Sequence, residues 1–524
     1  MLATIHWSAR PVRCTAGLLT LLLATLPARA GDPMPAVEVL AIRPDEQCRA
    51  VISLFEGTPW PHPAAVLVDW KRAAGEGERR SLGKPLEALI SAINPLMARE
   101  LATLDGARLL LDFPDEGGIR WAMVVPEDDG SIAAFATALA LTDGEPLPPE
   151  GAMFVDRLGP PGAPLIATGE PGSPAILASD RDAMASALRR GPVEPAIPGE
   201  EPRSGWIVRV DPEGMRGSGA VAVHRLGEAL IGLGYQGIVA RAALEGEAFA
   251  VVANSPRQGQ GQGDRAEGWG RIDPRWLDPV PIDRASAVVS VAIGPGADAW
   301  SEAIGLADRI ERADPDRADL APLRQRLALF ALARGARLEA DLWPMLLGVT
   351  LWCSVDELGD LDAGLLALHA SGEQDAARIA DRVVARLLGD GIAVAGRPLE
   401  MASRGGSVLI GWGAGALESS LEAAEDPSKS AGELLREDFG ASAPGRLGAV
   451  WPGRLPWIGE EGSPLRGAMT DGPPLIWSGW TGGGTIRDEL HWGGLRALVR
   501  RFLERIPAEP TVAGESPIVS GAQP

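Results

Sequence analysis

Between Val349 and Ala424 the apolar residues change spacing in a regular cycle. VTLWCSV and GLLALHA read as strands, and Glu373 to Leu388 carries apolar residues three and four apart, as a helix does. PLEMASR and SVLIGWG then read as strands again, and ALESSLEAA returns to helical spacing. The same order recurs between Arg108 and Arg190. RLLLDF and WAMVVP are followed by a helix carrying Ile132, Phe135, Ala136 and Leu139, then by PLIATG, AILAS and a short helix opened by Asp180. The element starts fall at 108, 121, 131, 164, 175 and 181 in the first copy, and at 349, 364, 373, 398, 407 and 414 in the second. Only the Pro/Gly-rich stretch from Gly144 to Pro161 alters the spacing much, and loops are where length varies. The pattern predicts an α+β fold of two related strand-hairpin-helix modules, an internal duplication with antiparallel or mixed sheets. Each module is followed by a hairpin-containing segment.

Outside the repeats, residues 31–63 form a Pro-rich lead-in with one short strand signal, AVEVLAI. The first module spans 64–191 and opens on the alternating strand AVLVDW; the second spans 281–425 and opens on AVVSVA. Pro192 to Arg203 reads as a linker. A connecting segment, 204–280, holds the strand WIVRVD, a helix from Ala220 to Gly232, and the hairpin GIVARAAL–AFAVVANS turning at Glu245-Gly246-Glu247. Residues 426–507 carry a Trp-rich hairpin turning at Gly482-Gly483-Gly484. A helix follows, with Leu495, Leu498, Val499, Phe502, Leu503 and Ile506 along one stripe. Residues 508–524 have the composition of a disordered tail.

Composition adds an address. Arg10 and Arg13 precede an apolar run from Cys14 to Leu26, and Ala28-Arg29-Ala30 supplies a small-x-small cleavage site, so residues 1–30 read as a signal peptide. Export to the periplasm or the outside of the cell is expected, with no integral membrane span after cleavage. Losing Arg10, Arg13 and Arg29 takes the net charge from −21 to −24, which excludes nucleic acid and anionic membrane surfaces as partners. Cys48 and Cys353 remain; two cysteines make no disulfide framework, and their pairing is open.

Motifs of chemistry are scarce. No histidine among His62, His224, His369 and His491 has a partner at metal-ligand spacing, and no metal or cofactor is expected. Arg216-Gly217-Ser218-Gly219 and Gly405-Gly406-Ser407 do not make a nucleophile elbow. The glycine runs at 259–263 and 411–415 lack the residues of a phosphate loop. Asp356, Glu357, Asp360 and Asp362 lack the ligand order of a calcium loop and fit a hairpin turn. Asp115-Glu116 and Asp128-Asp129 are candidate carboxylate pairs for glycoside hydrolysis, although helix capping explains the second pair. Tryptophan is the oddity, 16 against one Tyr and eight Phe. Trp477, Trp480 and Trp492 in the last hairpin are the candidate ligand-binding residues, as a platform for a sugar ring, with core bulk as the alternative. Trp477 and Trp480 differ by three and face opposite sides of one strand.

The duplicated order, together with PLIWSGW and RDELHWGGLRALVRRFLERIP near the end, resembles exported proteins of unknown function from planctomycete-type bacteria. The resemblance implies an Ala/Gly/Arg-rich exported chain of repeated α+β modules and carries no catalytic residue across. The function expected from the sequence is a structural or partner-binding role in the cell envelope or outside the cell, with catalysis not indicated. The alternatives are a glycan-binding module using the C-terminal Trp residues, or a hydrolase with an unrecognised carboxylate site.

Overall fold

The computed structural model describes residues 36–56, 105–114, 119–126, 154–157, 165–168, 174–189, 204–256 except 233, 270–293, 329–388 except 330, 393–394, 397–437, 443–456, 464–482 except 471, and 485–505. The signal segment, AVLVDW, the helix around Ile132, both carboxylate pairs, His62, the linker at 192–203, the glycine run at 259–263 and the tail lie outside them.

The first half contains β1 (Val37–Ile42), α1 (Pro44–Ser53), β2 (Arg108–Asp112), β3 (Arg120–Val125), β4 (Phe154–Arg157), β5 (Leu165–Thr168), β6 (Ala175–Ala178) and α2 (Arg181–Arg189). It continues through β7 (Gly205–Val210), α3 (Pro212–Arg216), α4 (Val221–Gly232), β8 (Ile238–Glu245) and β9 (Ala248–Pro256). After a short 3₁₀ turn, Pro274–Leu277, come β10 (Ala287–Ala292), α5 (Leu338–Asp341), β11 (Leu346–Val355) and β12 (Leu361–Ala370). Next are α6 (Glu373–Ile379) and α7 (Ala385–Leu388), joined by the π-helical turn Ala380–Val384, then β13 (Ala393–Val394), β14 (Arg397–Arg404), β15 (Ser407–Trp412) and α8 (Ala416–Glu425). The chain ends in α9 (Gly432–Glu437), β16 (Arg446–Val450), α10 (Pro464–Thr470), β17 (Leu475–Gly482), β18 (Thr485–Trp492) and α11 (Leu495–Glu504).

The strands join into one antiparallel sheet, so the fold is α+β and mostly sheet. From edge to edge the order is β4–β5–β6–β3–β2–β1–β7–β8–β9–β18–β17–β16–β10–β11–β12–β15–β14, and β13 touches only the start of β14. β1, which the sequence presents as a brief signal in a Pro-rich lead-in, lies inside the sheet between β2 and β7. β10 lies likewise between β11 and β16. The halves meet at β9 and β18, in register from Phe249↔Trp492 to Pro256↔Thr485.

Alternation gives each strand one residue set per face. On one face Val288, Trp352, Leu365, Leu409, Leu447 and Ile476 are buried beneath α8, α9 and the segment holding Ile272, Leu277 and Val280. On the opposite face of the second half, Leu368, Val408 and Ile410 pack on Ile379, Val383 and Val384 of the α6–α7 helix. In the first half that same opposite face carries Val208, Ala240 and Val251 under Val223, Leu226 and Leu230 of α4. The stripe expected on the last helix is present, with Leu498 and Leu503 of α11 buried. Cys48 and Cys353 are not joined to each other. Among the described residues, no helix is long and apolar enough to cross a membrane.

Candidate functional site

The second half opens a cleft of about 680 Å³ against the end of the sheet where β12, β14 and β15 meet the 3₁₀ turn. Ser407 lines it, and behind Ser407 lies a buried row that is built by register. Ser290, Thr350, His369 and Ser407 sit on the same face of the neighbouring strands β10, β11, β12 and β15, where Ser290 stands opposite Thr350 and His369 opposite Ser407. Their side chains form one hydrogen-bonded row. Ser290 Oγ lies 2.9 Å from Thr350 Oγ1, Thr350 Oγ1 lies 2.9 Å from His369 Nε2, and His369 Nδ1 lies 2.8 Å from Ser407 Oγ.

Trp276, on the 3₁₀ turn, stacks on the imidazole at 4.5 Å with the planes 2° apart. Gly348 makes this possible. It stands opposite His369, and a Cβ there would lie 2.3 Å from the indole ring, so a glycine is required for the close approach. Asp273 holds the turn by accepting from the Arg275 amide at 3.0 Å and by pairing with its guanidinium. The hydrogen bonds from the Arg275 guanidinium hold the Asp273 carboxyl below the usual carboxylate range. Asp278, beside the turn, is pushed the other way by burial, against the pull of Arg436 Nη2 at 2.6 Å. Arg404, on the opposite wall, donates to Leu421 O at 3.1 Å and to Glu425 at 3.0 Å, which ties β14 to the end of α8.

His369 is fully buried, and desolvation lowers its pKa to about 3, with Asp273 opposing weakly. The ring is therefore neutral at pH 7. One ring nitrogen donates and the other accepts, and both are taken by hydroxyls. Ser407 and His369 resemble a nucleophile and base in their spacing alone. A base must protonate near the working pH, and a carboxylate usually orients it; His369 has neither property.

The residues singled out from sequence lie elsewhere. Trp477 sits half-buried against the first half's core, with the Arg446 guanidinium 5.6 Å above its ring. Arg446 also donates to Asp488 at 3.1 Å, and Tyr235 Oη donates to the same carboxylate at 2.5 Å. Burial raises both the Asp488 and the Tyr235 pKa. Trp492 shares Trp477's face and stands opposite Phe249, while Trp480 points to the other face opposite Arg487. All three are half-buried, and none lines the cleft. The acidic group at 356–362 occupies the β11–β12 hairpin, where Asp356 Oδ1 accepts from the Leu358 and Asp360 amides at 2.9 Å each. Among the described residues no group of three or more His, Cys, Asp or Glu side chains is placed to hold a metal.

Sequence reasoning missed Trp276 and the row through His369. The row exists only once four strands are in register, and Trp276 follows a glycine-rich stretch without periodicity. No family model, curated protein or solved structure matches this chain.

Proposed function

We propose that the chain is an exported, non-catalytic binding protein whose cleft beside Trp276 receives a small polar ligand or a short segment of a partner. The observation that carries this reading is the Ser407–His369–Thr350 arrangement, in which the imidazole is buried, neutral and bonded to hydroxyls on both sides. A cleft of this volume suits a small ligand. Arg271, Asp273, Arg275 and Glu373 offer hydrogen-bonding groups around the apolar Trp276 ring. Export rests on the charged, apolar and small-x-small pattern of residues 1–30.

A fluorophosphonate probe, which labels activated serines, tests the absence of catalysis. No label should appear at Ser407 at neutral pH. Labelling that disappears in Ser407→Ala would sink the proposal.

A second reading within this one is that the ligand is a glycan. An apolar ring flanked by the Asp273–Arg275 pair has the chemistry to stack on a sugar and hydrogen-bond its hydroxyls, which moves the platform from Trp477, Trp480 and Trp492 to Trp276. Calorimetric titration with cell-wall oligosaccharides should give binding that Trp276→Ala abolishes. Binding that survives Trp276→Ala and is lost in Trp480→Ala would return the platform to the C-terminal hairpin.

We also propose that the two halves are a tandem duplication. β1 is flanked by β2–β3–β6–β5 on one side and β7–β8–β9 on the other; β10 is flanked by β11–β12–β15–β14 and β16–β17–β18. Val252 and Glu489 each stand four residues beyond the hairpin pairs Glu245↔Ala248 and Gly482↔Thr485, and they face each other, as a two-fold axis between the halves requires. A crystal structure in which β10 lacks β11 or β16 as neighbour would remove this support.

A further inference from the structure

β14 is the last described strand at one end of the sheet, and among the described residues only β13 pairs with its outer edge. Its inner edge pairs with β15 from Leu399↔Trp412 to Arg404↔Ser407, whereas β13 reaches only Arg397 and Pro398 on the outer side. No described residue pairs with the outer side of the strand between there and the turn at Gly405-Gly406. At the other end of the sheet, β5 stands two strands beyond β3 as β14 stands two beyond β12. There the corresponding edge is covered by β4, in register from Phe154↔Thr168 to Arg157↔Leu165.

The turn fixes which backbone groups are free. Gly405 and Gly406 both have positive φ, 53° and 83°, as a two-residue primed hairpin requires. Arg404↔Ser407 is then a hydrogen-bonded pair, so the N–H and C=O groups of Arg404, Ala402 and Glu400 point toward β15. Those of Leu399, Met401 and Ser403 point outward. Glu400 and Ser403 are exposed, and Met401 is 38% exposed.

We propose that this edge pairs antiparallel with β14 of a second copy of the chain, about a two-fold axis at Ala402. Outward donors must meet outward acceptors, so Met401 faces Leu399, Ser403 or another Met401, and the Leu399 register is disfavoured because it sets Glu400 against Glu400. The register that puts Met401 opposite Ser403 also puts Glu400 opposite Arg404 of the second copy, twice, so that the guanidinium holding Glu425 meets a second carboxylate. The register that pairs Met401 with itself puts Glu400 opposite Ala402 and forms no such charge pair. Self-complementary charge is what a two-fold contact needs, and opposite charges across a strand pair favour it. The molecule already joins its own halves by the same antiparallel device at β9 and β18. The contact fits between β13 and the turn, and it extends the sheet instead of ending it at an exposed edge.

Sedimentation of the full mature chain tests this at about 0.15 M salt, where long-range repulsion between acidic molecules is screened. The contact is short, so the dimer is expected at concentrations of about 100 µM, in the range of weak association. Met401→Pro removes an outward N–H without touching the β15 pairing, and Glu400→Arg sets Arg against Arg404. Each should weaken dimerisation at least about tenfold, the loss expected from about 1.4 kcal/mol. Glu418→Arg, the same charge change on the exposed side of α8, should leave it unaltered. If Met401→Pro fails to fold, the exposed Glu400→Arg variant decides alone. A chain that stays monomeric at this concentration, or a dimer that Glu400→Arg does not weaken, would overturn the proposal.

Discussion

At the scale of single residues, two positions set the packing behind Trp276, and both act through exclusion. Gly348 leaves room for Trp276, so Gly348→Ala forces the indole off His369. Overpacking of this kind costs about 1–3 kcal/mol, which denaturant unfolding would register as a lower midpoint. An unchanged midpoint would mean the ring has somewhere else to go. His369 excludes a proton. Its folded pKa, about 3, lies below the unfolded value of 6.5, so the unfolded chain binds more protons between those values. The stability this group contributes is complete above pH 6.5 and falls as pH drops toward 3, at a limiting slope of about 1.4 kcal/mol per pH unit. His369→Gln, which can still bond Thr350 and Ser407, should flatten the pH dependence in that window. A profile as steep as that of the parent chain would assign the acid lability to another group.

At the scale of elements, one buried carboxylate ties the β16–β17–β18 region to the first half beside the β9–β18 ladder. Asp488 of β18 takes Tyr235 from the first half and Arg446 from β16. Gly479 lies between, where a Cβ would approach Asp488 Oδ1 to 2.6 Å. Arg446→Ala leaves Asp488 charged, buried and short of its cation, a loss of about 3–5 kcal/mol at neutral pH. Burial raises the Asp488 pKa in the folded chain, so the folded state takes this proton first, and the loss should shrink as pH falls. Thermal melts of the variant at pH 7 and pH 4 check the sign; an equal loss at both would exclude Asp488 as the cause.

Most elements of the second half are legible in sequence, because β11, β12, β14 and β15 are short strand-like runs, β12 and β15 apolar on both faces, that lie between clear turns. β16 is not legible. RLGAV does alternate, with Leu447 and Ala449 buried, but Gly448 breaks the apolar pattern to admit the Trp477 ring. β1 is legible only as a strand; its central place comes from pairings with β2 and β7, which lie far along the chain. The buried row behind the cleft is hidden for the same reason. Ser290, Thr350, His369 and Ser407 are scattered over more than a hundred residues, and register alone brings them together.

At the scale of the molecule, continuous backbone pairing between β9 and β18 makes the halves one sheet. Calorimetry should therefore show a single unfolding transition, and two separated peaks would mean that the joint is weak. The claim that the molecule binds without cleaving depends on His369 staying neutral within this scaffold. The most direct test is nitrogen NMR of the His369 imidazole, assigned by its loss in His369→Gln and followed from pH 8 to pH 4. The account predicts that the ring keeps its neutral spectrum throughout, with one tautomer fixed by Ser407 and Thr350. Titration near pH 6.5 would make His369 a competent base beside Ser407, and the non-catalytic reading would fail.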